Sequence, residues 1–88
     1  MSRYVLEFAT PAARQIRKLD PQVRSRIRAA IEALCDNPRP AGVKALTGSA
    51  DLLRIRVGDW RVIYRVADHR LVVVVVEVGH RREVYREK

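Results

Sequence analysis

Residues 52–66 read LLRIRVGDWRVIYRV, and this stretch decides the fold. Arginines alternate there with bulky apolar residues on both sides of Gly58 and Asp59, and alternation of period two predicts two half-buried strands. Glycine at the first of two turn positions favours a tight type II′ hairpin. In such a hairpin Val57 pairs with Trp60, and every other cross-strand pair follows by counting outward from them.

This register separates apolar from charged side chains. The apolar face, predicted to be core, receives Leu53, Ile55, Val57, Trp60, Val62, Tyr64 and Val66. The opposite face, which we call the arginine face, receives Arg54, Arg56, Arg61 and Arg65. Arg56 falls directly opposite Arg61, and like charges opposed across a strand pair destabilise it. Because a polyanion would offset that repulsion, we expect the arginine face to bind phosphate groups.

The chain is strongly basic. It has 88 residues, with 18 lysines and arginines against 10 aspartates and glutamates, and a formal net charge of +8. This length suits a single domain, residues 1–88, with one hydrophobic core. The charge favours nucleic acid or an acidic protein as the partner. The alternative is a soluble basic domain whose arginines are merely solvated.

Several kinds of segment and site are not expected. Residues 1–8 enter a strand-like alternation at once, so no signal peptide is predicted. The longest apolar run, residues 71–76, is too short to span a membrane, and we expect a cytoplasmic protein. Cys35 is the one cysteine, so no internal disulfide can form, and we expect a buried or half-buried thiol. One cysteine and two histidines do not make a ligand cluster, so neither a metal nor a cofactor is expected.

Three elements are predicted before the hairpin. Residues 3–8 alternate like a strand, with their apolar side chains on one side. Thr10 precedes a proline, which predicts an N-cap and a short helix over residues 10–19. The same signal at Asp20 predicts a longer helix over residues 20–36. Its buried stripe at helical spacing is Val23, Ile27, Ala30, Ile31 and Leu34.

The remaining pattern completes the fold class. The prolines within residues 37–40 end the second helix, and residues 41–51 are predicted to be a loop. After the hairpin, residues 71–79 form a β-branched run suited to a central strand. The predicted order is therefore β-α-α-β-β-β. It is an α+β fold in which a two-helix hairpin packs on one face of a small, mainly antiparallel sheet, and the other face is open.

The position of Glu77 depends on the turn before the last strand. An odd loop over residues 68–70 would pair Val66 with Val72 and Arg61 with Glu77. A two-residue loop would instead bury the carboxylate in the core without a partner, which is costly. We therefore expect the odd loop, with Glu77 on the arginine face orienting Arg61.

The last strand leads directly into residues 79–86, GHRREVYR, which we expect at the edge of the arginine face. Histidine, tyrosine and arginine beside a phosphate-binding surface indicate phosphoryl transfer on RNA, where the neighbouring 2′-hydroxyl attacks the phosphate. Arginine binds phosphate oxygens well but is a poor proton acceptor. His80 and Tyr85 are therefore the predicted proton-transfer groups, with Glu77 and Glu83 as more distant candidates.

The segments LRIRVGDWRVIYRV and VVEVGHRREVYR resemble the RelE branch of the RelE/ParE superfamily of bacterial toxins, and the resemblance covers the whole chain. It implies a metal-independent endoribonuclease of a type II toxin-antitoxin system that cleaves messenger RNA in the ribosomal A site. The catalytic residues expected from the resemblance and from the residue chemistry together are Arg54, Arg56, Arg61, His80, Arg81 and Tyr85. Arg65 and Arg82 are expected to add substrate contacts.

One departure from the family concerns the first hairpin strand. Well-studied members carry lysines there, and a lysine could serve as a base, whereas this chain has Arg54 and Arg56. The proton-accepting role is then expected to move to His80 or Tyr85. Two other functions stay open: an inhibitor of DNA gyrase in the manner of the ParE branch, and an inactive homologue that only binds RNA or antitoxin. In each case a cognate antitoxin with an acidic or amphipathic segment is expected to form a hetero-oligomer with the chain.

Overall fold

A computed structural model describes residues 3–46 and 51–80. These residues form β1 (Val5–Phe8), α1 (Thr10–Arg17), α2 (Pro21–Asp36), β2 (Lys44–Ala45), β3 (Leu52–Val57), β4 (Trp60–Ala67) and β5 (Val72–His80). The five strands make one sheet in the order β1-β5-β4-β3-β2, with β1 parallel to β5 and the other neighbours antiparallel. The predicted α+β class is confirmed, with one strand more than expected. Within the described ranges, no helix has the length and apolar character needed to cross a membrane.

The hairpin follows the predicted register. Val57 pairs with Trp60, and Arg56 lies directly opposite Arg61. Gly58 has a φ of 62°, the left-handed value that the first position of a type II′ turn needs and that a side chain would strain. The alternation of residue types therefore fixed both the turn and the two faces.

The helices begin close to the predicted signals. α2 starts at Pro21 behind Asp20, as expected. α1 has Ala9 as its N-cap, with Thr10 already helical, and it ends at Arg17 rather than at residue 19. The helices and the sheet bury a common core of Ala12, Ile16, Ile27, Ile31, Leu34, Cys35, Val62, Tyr64, Val73, Val75 and Val78.

The segment predicted to be a loop, residues 41–51, contains the short strand β2. Lys44 pairs with Arg54 and Ala45 pairs with Leu53. Gly42 precedes the strand with a φ of 91°, a left-handed value that favours glycine. A strand of two residues is too short to show an alternating pattern in the sequence. Lys44 and Ala45 form a strand because they pair with β3.

The connection from β4 to β5 differs from the predicted odd loop. β4 extends to Ala67, and a 3-10 turn, Asp68–Arg70, is followed by Leu71 in the left-handed conformation. Four residues thus separate the strands, and Val66 pairs with Val73 rather than with Val72. Continued without interruption, this register would direct Glu77 into the core.

A β-bulge corrects the facing. Tyr64 pairs with Val75 and the next residue of β4, Ile63, pairs with Glu77, so Val76 is an extra residue in β5. A single inserted residue moves every later side chain to the opposite face. Val78 consequently lies in the core, 1% exposed, and the carboxylate lies on the arginine face as predicted. The expected position of Glu77 on the arginine face is confirmed, but a β-bulge produces it rather than the predicted odd-length loop.

Tyr64 ties the sheet to the segment after α2. Its side chain is fully buried, and its hydroxyl donates a 2.6 Å hydrogen bond to the carbonyl of Pro38. Burial raises the pKa of the phenol to about 12, so it remains a neutral donor at physiological pH. The bond anchors the segment that leads to β2.

Replacing Tyr64 with phenylalanine should lower the free energy of unfolding by about 1–2 kcal/mol, because a part-buried hydrogen bond is lost. Urea unfolding measures the change. Tyr4→Phe is the matched control, since it removes an exposed hydroxyl that donates to Asp68. Equal losses in the two variants would contradict the anchoring role.

Asp68 joins three separate segments near the start of β5. Arg39 donates to both of its carboxylate oxygens, at 3.2 and 3.0 Å, and the hydroxyl of Tyr4 donates to it at 2.7 Å. The hydrogen bond from Arg39 and then the one from Tyr4 hold the pKa of this carboxyl below its ordinary value. The three hydrogen bonds link Tyr4, which precedes β1, and the segment after α2 to the 3-10 turn.

This arrangement should make the stability of the protein sensitive to acid. A carboxyl with a depressed pKa stabilises the fold fully above its unfolded pKa, and that contribution is lost as the pH falls through its folded pKa. Asp68→Asn should therefore show a shallower decline in thermal midpoint between neutral and acid pH. Arg39→Ala should show the same flattening, because it removes the main partner; an unchanged acid dependence in both variants would refute the linkage.

Candidate phosphate-binding site

The arginine face lies on the side of the sheet away from the two helices. Arg54 and Arg56 project from β3, and Arg61 and Arg65 project from β4. Arg56 and Arg61 are direct cross-strand partners. The like-charge opposition expected from the sequence is therefore present in the fold.

Arg61 is the most enclosed cation of this face, with only 6% of its surface exposed. On one side its partner is Arg56, and on the other side it faces Gly79 of β5, which has no side chain to obstruct it. A guanidinium held between two strands loses little further freedom when it binds an anion. The most buried arginine is thus the best preorganised one.

Glu77 lies on the arginine face but not opposite Arg61 as predicted. Its direct partner is Ile63, and the bulge shifts Arg61 onto Gly79. A diagonal neighbour two positions along a strand stays within reach of a long side chain. Glu77 can thus orient Arg61 diagonally, as the one carboxylate placed among these arginines by the described part of β5.

Lys44 is a cation of this face that sequence reasoning missed. It is the direct cross-strand partner of Arg54, and directly opposed residues project to the same side of a sheet. The side chain is exposed. Nothing in the local sequence marks it, because its position depends on the two-residue strand β2.

A cavity of about 800 Å³ brings these cations together at the β3 edge. The lining includes Ala30, Ala33 and Leu34 of α2. The cations in the lining are Lys44, Arg54, Arg56 and Arg61. A groove that combines several cations with apolar residues suits a linear polyanion.

Arg65 lies farther along β4, outside this cavity. Asp51 is 3.8 Å from its guanidinium, and both side chains are about half exposed. A solvent-exposed ion pair of this length contributes little stability. Arg65 can therefore exchange the aspartate for another anion at small cost.

His80 occupies a different side of the sheet from the one predicted. It pairs with Trp60, and the two rings meet edge to face with centroids 5.5 Å apart. Trp60 packs against the core beneath the helices. The expectation that the histidine lies on the arginine face is wrong, because the bulge gives position 80 the same facing as the core. Arg81, Arg82, Glu83 and Tyr85 lie outside the described residues.

Comparison with known proteins agrees with this geometry. Residues 6–85 match the family described as ParE toxin of type II toxin-antitoxin system, parDE. The mRNA interferase toxin RelE of Escherichia coli K12 is 34% identical over 88 residues, covering 96% of this chain and 92% of that protein. The chain belongs to the RelE/ParE superfamily of type II toxins.

Solved structures of the RelE branch share the fold. The isolated E. coli RelE toxin superimposes with a TM-score of 0.78 at 34% identity, covering 96% of this chain and 93% of that one. The toxin in the intact E. coli RelBE toxin-antitoxin complex gives a TM-score of 0.77 at 31% identity, with 88% and 95% covered. The chain is therefore a RelE-type toxin component of a toxin-antitoxin system.

The opposed arginines give a testable stability effect. Arg56→Gln should raise the free energy of unfolding by about 0.2–1 kcal/mol at low ionic strength, because it removes a like charge directly opposite Arg61. Urea unfolding in low salt and in 1 M sodium chloride measures the effect, since a Debye length of about 3 Å screens exposed charges. A gain of equal size in both salts would show that repulsion is not its source.

Proposed function

We propose that this toxin is a cytoplasmic endoribonuclease that cleaves messenger RNA in the A site of the ribosome. The 2′-hydroxyl beside the scissile bond attacks the phosphate, so the protein supplies no nucleophile. The observation that carries the proposal is the meeting of Arg54, Arg56 and Arg61 at one cavity, with two of them directly opposed. The naming of similar proteins as mRNA interferases supports the same activity.

The arginines supply the two parts of the reaction that need positive charge. They hold the backbone in line for attack, and they neutralise the charge that builds on the phosphate in the transition state. Arg61 is the central group because it is enclosed and oriented before substrate arrives. Arg54 and Arg56 bind the phosphate oxygens from the neighbouring strand, and Arg65 and Arg82 add contacts to the flanking backbone.

The proton steps fall to other residues. Arginine is protonated throughout the physiological range and accepts no proton. We assign proton transfer to Tyr85 in the segment that also carries Arg81, with Glu77 orienting Arg61. His80 can contribute only if its ring leaves the edge of Trp60, since the strand directs it to the helix side.

A cognate antitoxin is the second partner. Two of the solved relatives are toxin-antitoxin complexes of RelE with RelB. An acidic or amphipathic segment of the antitoxin would complement the cationic groove and form a hetero-oligomer with the toxin. The affinity should then fall with ionic strength.

Primer extension on messenger RNA after induced expression tests the nuclease. Arg61→Ala should lower the cleavage rate by at least about 100-fold, as the loss of one preorganised transition-state contact does. Arg14→Ala on α1 is the control, because it removes an equal charge from an exposed helical site. Cleavage by Arg61→Ala at the parent rate, with matched expression, would remove the assignment.

The family description favours one other function enough to test it. Because the matching family is named for ParE, a gyrase supercoiling assay belongs beside the RNA assay. If the toxin inhibits supercoiling and does not cleave RNA, the nuclease proposal is wrong and the toxin acts on gyrase. RNA binding with neither effect would mark an inactive homologue.

A further inference from the structure

We propose that Lys44 is an additional RNA-binding residue and that the RNA backbone crosses the sheet from β4 over β3 to β2. The proposal rests on the nuclease function and extends its substrate track by one strand. It assigns the ammonium group to a phosphate flanking the one that Arg61 and Arg56 hold. The sequence pattern alone places no ligand on this residue.

The register of β2 is the first observation. Lys44 lies directly opposite Arg54, and Arg56 lies directly opposite Arg61. Both outward positions of β3 that carry arginine therefore face another cation across a strand. Each such opposition lowers the stability of the sheet, and a single bound polyanion would offset both.

The cavity is the second observation. Lys44 lines the same space as Arg54, Arg56 and Arg61, so a polyanion that occupies this space can contact cations of β2, β3 and β4. Neighbouring strands are about 4.8 Å apart, which places β2 about 9.6 Å from β4. Cations at the two ends of that span suit successive phosphates of one strand better than a single phosphate.

The chemistry of lysine fits a flanking contact. An ammonium is a compact point charge on a flexible stem, whereas a guanidinium fixes an anion in a planar fork. The orientation of the bound phosphate matters most at the scissile bond, to which the arginines are assigned, and it matters less at a neighbouring phosphate. An exposed lysine at the edge of the sheet supplies attraction there without constraining the chain.

Binding of a single-stranded RNA oligonucleotide, fully 2′-O-methylated to prevent cleavage, tests the contact. Lys44→Ala should weaken the affinity about fivefold, the upper end of what one solvent-exposed ion pair contributes. It should also reduce the slope of log affinity against log salt by about 0.7, as expected for one lost phosphate contact on a single strand. Lys44→Arg should restore both values. Lys18→Ala, an exposed lysine beyond α1, is the control and should leave both unchanged.

The outcomes separate this inference from the nuclease proposal. If Lys44→Ala binds like the parent while Arg61→Ala loses affinity, the track does not reach β2 and the nuclease stands. If Lys44→Arg behaves like Lys44→Ala, the residue acts otherwise than as a phosphate ligand and the inference is wrong. A parent that neither binds nor cleaves RNA overturns both proposals. Thermal unfolding of each variant checks that the overall fold is retained.

Discussion

The extra residue at Val76 decides what each face of the sheet can do. β4 and β5 are joined by four residues, and the register they impose would bury a carboxylate beneath the helices. An uncompensated charge in an apolar core costs far more than the local loss of strand pairing at a bulge. Because of the inserted valine, β5 directs Val73 and Val75 into the core before the bulge and Val78 into the core after the bulge. The same shift delivers Glu77 and Gly79 to the arginines.

The opposite face provides the stability that such a charged surface needs. The apolar side of the hairpin packs against both helices, with Val62 and Tyr64 fully buried. Burial of each large apolar side chain contributes about 1.5–3 kcal/mol, whereas a directly opposed like-charge pair costs only about 0.2–1 kcal/mol. The sheet can thus hold several guanidinium groups close together without a bound anion. The destabilising arginine face is tolerated because the apolar burial on the other face of the sheet contributes more free energy than the charge repulsion costs.

Most of the fold could be predicted because its signals are local. The alternation around Gly58 fixed the register from Leu52 to Arg65, and prolines at residues 11 and 21 located the helices. The features that escaped prediction depend on contacts distant in sequence. A run of five valines is uniform, so it cannot show where a bulge falls, and the facing of His80 followed that error. β2 has only two residues, so Lys44 became part of the site through its partner on β3.

These positions also bear on how the chemistry is divided. Every cation that the described part of the chain brings to the cavity is an arginine except Lys44, and arginine stabilises charge without exchanging protons. The histidine next to this region is turned toward Trp60. The described face is therefore suited to binding anions and neutralising charge, and in the proposed function the proton transfer falls to other residues. In the proposed nuclease the RNA's own 2′-hydroxyl is the nucleophile, so the protein would lower the activation barrier by positioning the backbone and by stabilising negative charge. In the proposed function, Arg54 and Arg56 keep the electrostatic contribution of the first hairpin strand, and since arginine does not exchange protons they leave that step to other residues.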